Sequence, residues 1–520
     1  MSEVATWNHH ETMSALRASQ ELVPTAVEAV QDFLKLLNGH EYTDEYIKIV
    51  HGFWIQHLCQ DVVYASLSRS SQVNPMSTNV VVPMHKPKYP STESAGASRI
   101  ELARRLLWGM DIWRGVTMSC DSEPQRVTAG IRKVKSRLIS SLSSKSARVW
   151  VADPYLHQSV PSQVRIAIQS RRLIRWEEVD AIEMTPESMD SHVRQAAHSA
   201  ISGNSRADVV KALVPLTIPV ALAEALPIIE SRTTPRNTAD TQLIYTANAH
   251  HYDTCFKVAT AQMVKDGSRL LVHQHGGGYG IDELHPGEIF DRSVSHCFYT
   301  FGWSDHSSGS LTKPLPTAPR GEQQEQGHHY LLMTAENTSE FFRFQSFCMP
   351  THVERCISET SSFLSAIDEG HEIYLRSAPA FPFPTERIVF SNCTLKHTQA
   401  KESGMELASR ARLVIHNYLG TSWLETLAMN IPTVCFYDPL MYQPRAAAQP
   451  FVEALARVGV IHYSGKDAAK FVNSLHGDPS AWWRSAEVQE AREAFVARYA
   501  NFSDNWLEAW QEEFESLLAE

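Results

Sequence analysis

The segment RLLVHQHGGGYG (residues 269–280) ends an apolar run with two histidines, a glutamine, three consecutive glycines and a tyrosine. Ligands of open α/β sheets bind at the carboxyl ends of strands, which is where such a loop would sit. Gly276, Gly277 and Gly278 carry no side chains, so their backbone N–H groups can close on a phosphate or carboxylate. His273, Gln274, His275 and Tyr279 would add donors, and His275 or His273 a general base for an acceptor hydroxyl. The plainer alternative is a tight turn whose histidines are structurally satisfied. A glycine triplet is costly in chain entropy and has no evident packing use, which favours function.

Two other chemistries can be weighed against the same loop. His273 and His275 would share a strand face, as a metal pair does, but no Asp, Glu or Cys at a recognisable spacing completes the set, so no metal is expected. HGGG also forms the oxyanion-hole loop of some esterases, which need a G-x-S-x-G nucleophile elbow. The nearest segment, Gly420-Thr421-Ser422-Trp423-Leu424, lacks the final glycine. Downstream, Glu283, His285, Glu288, Asp291 and Asp305 form a carboxylate-rich stretch in which Glu288 or Asp291 could orient a histidine or act as a base. Upstream, TANAHHYD (246–253) also ends a strand and puts Asn248, His250 and His251 on the same cleft edge.

A second constellation is RLVIHNYLGTSWLETLAMNIPTVCFYDP (412–439), read as strand, glycine turn, helix and strand. Asn417 and Gly420 in the turn, with the first helical N–H groups at Thr421 and Ser422, would bind the anionic donor. Glu425 would bind ribose hydroxyls or close a capping box with Ser422. Arg376, ending EIYLRSAP, would add a positive charge on the rim.

These residues need elements to hold them. Apolar periodicity predicts two helices between about Thr25 and Ser66, broken at Asn38-Gly39. Residues 68–98, rich in Ser and Pro, read as an extended loop, with a helix resuming near Arg99. Strand-like runs follow in ARVWVAD, LIRWEEV, TQLIYTANA, RLLVHQHG and HCFYTFGW, then in HYLLMTAEN, EIYLRSAP, RIVFSN, RLVIHNYLG, TVCFYDP and GVIHYSG. Strands alternating with helices imply parallel sheets. The domains expected are a helical region (1–110), a first Rossmann-like domain (111–310), a linker (311–327), a second Rossmann-like domain (328–480) and closing C-terminal helices (481–520).

The net charge of −11 in 520 residues argues against nucleic acid or an anionic membrane as the main partner. Within 126–148, Arg132, Lys133, Lys135 and Arg137 cluster at helical spacing; this is a solvated helix face or a peripheral contact to lipid headgroups or a polyanionic acceptor. The eight cysteines are scattered without a CxxC pair and read as reduced thiols of a cytoplasmic protein. No leader segment or membrane span is expected.

Two Rossmann-like domains facing a cleft, the Gly-x-Ser-x-x-Glu-type turn followed by Asn-Ile-Pro-Thr-Val, and a closing helix resemble the GT-B glycosyltransferases. LNGHEYTDEYIKIVHGFWIQHL, TANAHHYDTCFKVATAQMVKDGSRLLVHQHGGGYG, GEIFDRSVSHCFYTFGW and HNYLGTSWLETLAMNIPTVCFYDP together resemble a transferase family from bacterial gene clusters for surface polysaccharides and flagellar glycans. The capsule 3-deoxy-octulosonate transferases are more distantly similar. The resemblance spans about residues 30–510. It implies metal-independent transfer, without a cofactor, from a nucleotide-activated sugar to a glycan or protein hydroxyl. A CMP-activated nonulosonic-type donor is suggested, since its carboxylate and phosphate would suit a cleft with two anion sites. A nucleotide-sugar epimerase or hydrolase, and a non-catalytic glycan-binding protein, are the alternatives.

Overall fold

The computed structural model describes residues 7–67, 79–82, 93–107, 117–120, 148–156, 188–233, 241–283, 285–305, 311–321, 327, 329–336, 341–345, 349–378, 382–391, 393–398 and 402–520. The cluster at 132–137 and the run LIRWEEV lie outside them. Helices His9–Glu21, Val23–Asn38 and Asp44–Leu67 form the N-terminal block. Gly39 ends the second helix in the left-handed region (φ +71°), which a glycine enters without a Cβ penalty. Asp44–Leu67 is apolar on most sides and is buried by helices before and behind it, including Glu93–Leu107, Thr254–Lys265 and Pro286–Val294. Part of the stretch expected to be an extended loop is regular: β1 (Asn79–Val82) pairs in parallel with β2 (Thr117–Cys120), and the next helix starts at Glu93, not near Arg99. The Val-Val-Val run supplies the β-branched residues that a strand favours despite its Ser/Pro-rich surroundings.

The first large sheet runs in sequence order, all parallel: β3 (Val149–Ala152), β4 (Leu243–Thr246), β5 (Arg269–His273), β6 (Cys297–Thr300) and β7 (Leu311–Pro314). Right-handed crossovers in this order place the connecting helices on one face only. That face carries Trp150, Ile244, Leu270, Val272 and Phe298. The opposite face, with Val149, Val151, Tyr245, Leu271 and Tyr299, is covered by the last helix, Trp506–Ala519, through Trp506, Trp510 and Leu517. The C-terminus therefore completes the first sheet after the chain has built the second. β7 falls where the sequence suggested linker; as an edge strand ending in proline it needs few ladder partners, and its Leu311 is exposed.

The second sheet has the order β10-β9-β8-β11-β12-β13, with β8 Tyr330–Met333, β9 Glu372–Arg376, β10 Thr394–His397, β11 Leu413–His416, β12 Thr433–Phe436 and β13 Ile461–His462. The order reverses between β8 and β11, the switch point at which such sheets open a crevice. RIVFSN does not form the expected strand. Its Val389 is 75% exposed, Thr385–Arg387 is a short 3-10 turn, and the edge position is taken by β10 instead. Two parallel α/β sheets, a helical N-terminal block and a helix returning to the first domain make the architecture α/β and GT-B-like. No helix among the described residues is long and apolar enough to cross a membrane.

Candidate functional site

The Gly-rich loop and the Gly-Thr-Ser turn touch. Gly277 N donates to Thr421 Oγ1 at 2.8 Å, and a Cβ on Gly277 would lie 2.6 Å from Gly420 C and 2.7 Å from Thr421 N. The loop leaving the first sheet is thus seated against the N-terminus of helix Thr421–Ala428 of the second. Gly278 and Gly280 turn it with φ of +89° and +71°, the latter close against Trp303. Gln274 braces the loop: its Oε1 accepts from Phe301 N (3.1 Å) and Trp303 Nε1 (2.9 Å), and its Nε2 donates to Gly276 O (2.8 Å). The amides of Gly276 and Gly278 donate to no acceptor among the described residues.

Gly420 is the N-cap of helix Thr421–Ala428, and no side chain caps it. The Ser422–Glu425 capping box is therefore absent, because Ser422 lies inside the first turn. Ser422 Oγ pairs with Tyr418 Oη at 2.9 Å, and Glu425 forms an ion pair with Arg320 at 3.2 Å. Burial raises the Glu425 carboxyl and Arg320 opposes that shift. Asn417 Oδ1 accepts from Ala335 N (2.7 Å) while its Nδ2 donates to Thr360 (3.0 Å), so it positions the loop after β8. Arg376 directs a guanidinium nitrogen to Glu402 O at 2.7 Å.

The histidines divide into distinct environments. His273 is buried, with Nδ1 2.8 Å from Gln274 O and Nε2 3.0 Å from Leu315 O; burial pushes it down to about 4, so the neutral ring can donate to only one of them. His275 is half-buried, between Tyr155, His251 and Tyr279, whose Oη is 3.4 Å from its Nδ1. Burial lowers it to about 4, against the opposing pull of Asp291, so it is neutral near pH 7.

Asp291 is fully buried and is the centre of a network. Both His250 Nε2 (2.7 Å) and His251 Nε2 (2.6 Å) meet its Oδ1, and Tyr279 Oη donates to Oδ2 at 2.9 Å. Burial would raise this carboxyl, but His251 and His250 hold it well below the usual carboxylate range. Glu288 is engaged on both oxygens by Arg445 (3.1 and 2.7 Å) and also contacts Gly280 N (2.9 Å) and Arg292 (3.3 Å). Arg445 further donates to Ile281 O and Asp282 O, so this pair clamps the second domain to the loop. His285 Nδ1 caps helix Pro286–Val294, Glu283 pairs with His9 and Arg17, and Asp305 pairs with Arg292. Asn248 is the N-cap of the short helix Ala249–Tyr252 without a side-chain bond.

Sequence reading missed Arg343, Arg320 and Tyr155. Arg343, in the loop after β8, lies close enough to lower His275, after burial, and His285 as well. Its signal was an arginine set between phenylalanines in FFRF, two of which, Phe341 and Phe344, are buried beside Tyr64. Tyr155 follows β3 at φ +50°, a conformation that non-glycine residues seldom adopt, and presents its ring edge to His275. A small recess, with room for about one water molecule, lies at the carboxyl ends of β11 and β12, lined by Asn417, Phe436, Tyr437, Asp438, Tyr442 and Arg355 among others.

The model of the LIC12162 family transferases matches residues 114–514. No curated protein sequence matches the chain. Among solved structures, MurG of Acinetobacter baumannii is similar over 52% of this chain and 75% of its own, at 12% identity and a TM-score of 0.29. The spinosyn rhamnosyltransferase SpnG is similar over 60% of this chain and 80% of its own, at 10% identity and a TM-score of 0.32. The family match covers well over half of the sequence, and the chain belongs to the LIC12162 family of transferases.

Proposed function

We propose that the protein is a glycosyltransferase that moves a sugar from a nucleotide-activated donor to a hydroxyl of a bacterial surface glycan or flagellin, with a CMP-activated nonulosonic acid as the favoured donor. The observation that carries this reading is the direct seating of the Gly276–Gly278 loop on the N-terminus of helix Thr421–Ala428. Two sources of N–H groups without an acceptor among the described residues meet there, one from each sheet, and the positive charge of Arg343 reaches His275. A donor with a phosphate and a carboxylate needs two such anion sites.

In this reading His275 is the base. Its neutral ring accepts the proton of the acceptor hydroxyl while that oxygen bonds to the anomeric carbon, and the bond from that carbon to the phosphate oxygen breaks, its electron pair leaving with the nucleotide. The loop amides and Arg343 stabilise the charge that builds on the leaving phosphate. Asp291 and Tyr279 act behind His275 by fixing its surroundings. The test is a thermal-shift panel with CMP, CDP, UDP, GDP and ADP. A ligand at a hundred times its dissociation constant adds about 2.7 kcal/mol. Selective stabilisation by CMP, retained in His275→Gln while sugar transfer is lost, is the expected result. Absence of stabilisation by every nucleotide would overturn the reading.

A further inference from the structure

We propose that His250, His251 and Asp291 bind a divalent transition-metal ion behind the cleft. No metal-ligand spacing surrounds the HQH triplet in the sequence; these ligands instead come from two segments about 40 residues apart that only folding brings together. Three features point to an ion and not merely to a hydrogen-bonded cluster.

The first is convergence. Both Nε2 atoms address the same oxygen, Asp291 Oδ1, and the three donor atoms lie within 4.8 Å of one another. The other oxygen is occupied by Tyr279, which fixes the carboxylate and leaves Oδ1 for the shared point. Two imidazoles and a carboxylate suit zinc, cobalt or iron(II) better than the oxygen-seeking magnesium or calcium.

The second is charge. All three side chains are buried, and among the described residues the hydrogen-bond partners of Asp291 are His250, His251 and Tyr279, none of which carries a fixed positive charge. An ionised carboxylate without a permanent cation in contact is an expensive thing to bury, and a divalent ion at Oδ1 would offset it.

The third is rigidity. Phe53 stacks on His251 at a centroid distance of 4.4 Å, and Phe290 lies within 9° of parallel to His250 at 5.7 Å. Both rings are thus oriented from outside the cluster by apolar neighbours, as ligands are when their geometry is preset. Ligand atoms about 2.0–2.2 Å from an ion stand roughly 3.3 Å apart in a tetrahedron, so the present separations of 2.6 and 2.7 Å must open by about 0.7 Å to admit it. Metal binding would then tie the short helix Ala249–Tyr252 to helix Pro286–Val294, directly behind His275.

This inference does not depend on the transfer reaction, since metal content needs no donor. The full-length chain, stripped with a chelator, would be titrated with Zn²⁺ and its metal content measured after desalting. In parallel, Co²⁺ uptake would be followed by its visible absorption. The expected result is one ion per chain, a rise in melting temperature, and a tetrahedral Co²⁺ spectrum without thiolate charge-transfer bands. Asp291→Asn and His251→Gln should each weaken binding by more than the roughly 10–100-fold that loss of an outer-shell partner costs. Stoichiometric uptake that persists in both variants would overturn the proposal, as would failure of the wild-type chain to retain zinc. If neither variant folds, the wild-type Co²⁺ spectrum decides: thiolate bands or octahedral intensities place the ion elsewhere.

Discussion

Replacing Gly277 by alanine tests whether the contact between the two sheets is as tight as the structure makes it. The added Cβ would meet Gly420 C at 2.6 Å, Thr421 N at 2.7 Å and Gly420 O at 3.0 Å. All three are backbone atoms, so no flexible side chain can move aside, and the loop must retreat by about 0.7 Å to restore ordinary contact. Overpacking of this kind costs roughly 1–3 kcal/mol. The retreat also stretches the bond from Gly277 N to Thr421 Oγ1, worth about 1 kcal/mol. The seated arrangement should lose about 2–4 kcal/mol, or about thirtyfold or more in any ligand affinity that requires it. Gly276→Ala is the control: its Cβ would meet only Thr421 Oγ1, at 3.2 Å, and a hydroxyl can give. Thermal denaturation and nucleotide binding should show Gly277→Ala clearly impaired and Gly276→Ala nearly normal. Equal behaviour of the two variants, or a Gly277→Ala protein with unchanged melting and binding, would refute the reasoning.

Two further predictions concern buried charge. Lys257 is wholly buried with no hydrogen-bond partner for its Nζ among the described residues, and burial drives it from 10.5 down to about 7 against the opposing pull of Asp253. The unfolded chain therefore holds more protons than the folded one between about pH 7 and 10.5, so this residue makes stability rise with pH across that window. Lys257→Met should stabilise the protein most at or below pH 7, by on the order of 4 kcal/mol at the upper limit, with the gain shrinking towards pH 10; a gain independent of pH would contradict the assignment. Removing Arg445 from the clamp leaves Glu288 buried with weaker partners and should cost about 3 kcal/mol. Melting of Arg445→Met, Glu288→Gln and the double variant should be non-additive by about 0.5–3 kcal/mol, and simple additivity would show that the two do not act as one unit.

The parts of the fold legible in the sequence are those with strong local pattern. Most of the apolar strand runs became strands, because a parallel sheet buried on both faces needs continuous apolar residues such as Leu413–His416 and Thr433–Phe436. RIVFSN shows the limit of this signal: three apolar residues in a row fit a strand, but with β10 already on the edge of the sheet Val389 stays in solvent. β7 shows the converse, a strand made by its neighbour β6 in a segment whose own composition is that of a linker. The site was legible only as far as single segments go. The Gly-rich loop and the Gly-Thr-Ser turn each announce an anion site, but that they touch is a property of two sheets. Arg343 and the pairing of His250 with His251 and Asp291 depend on contacts across large sequence separations, to which periodicity is blind.

The glycine triplet also corrects a premise about what glycine is for in this loop. The absence of a packing use favoured a functional reading, yet Gly277 has one: it lets the backbone of the loop lie against the backbone of Gly420 and Thr421. Close packing and ligand binding are here the same requirement. Only a residue without a side chain at position 277 lets the loop amides lie beside the first turn of that helix, and that proximity sets the anion sites of the two sheets side by side. It follows that residues holding the sheets in this register control the site without touching a ligand. Arg445 and Glu288 do so on one side of the loop, and Gln274, tied to Phe301 and Trp303, does so beneath it. A carboxylate as fully engaged as that of Glu288 contributes more by fixing where the loop lies than by exchanging a proton, and the double-variant cycle measures how strongly it does so together with Arg445.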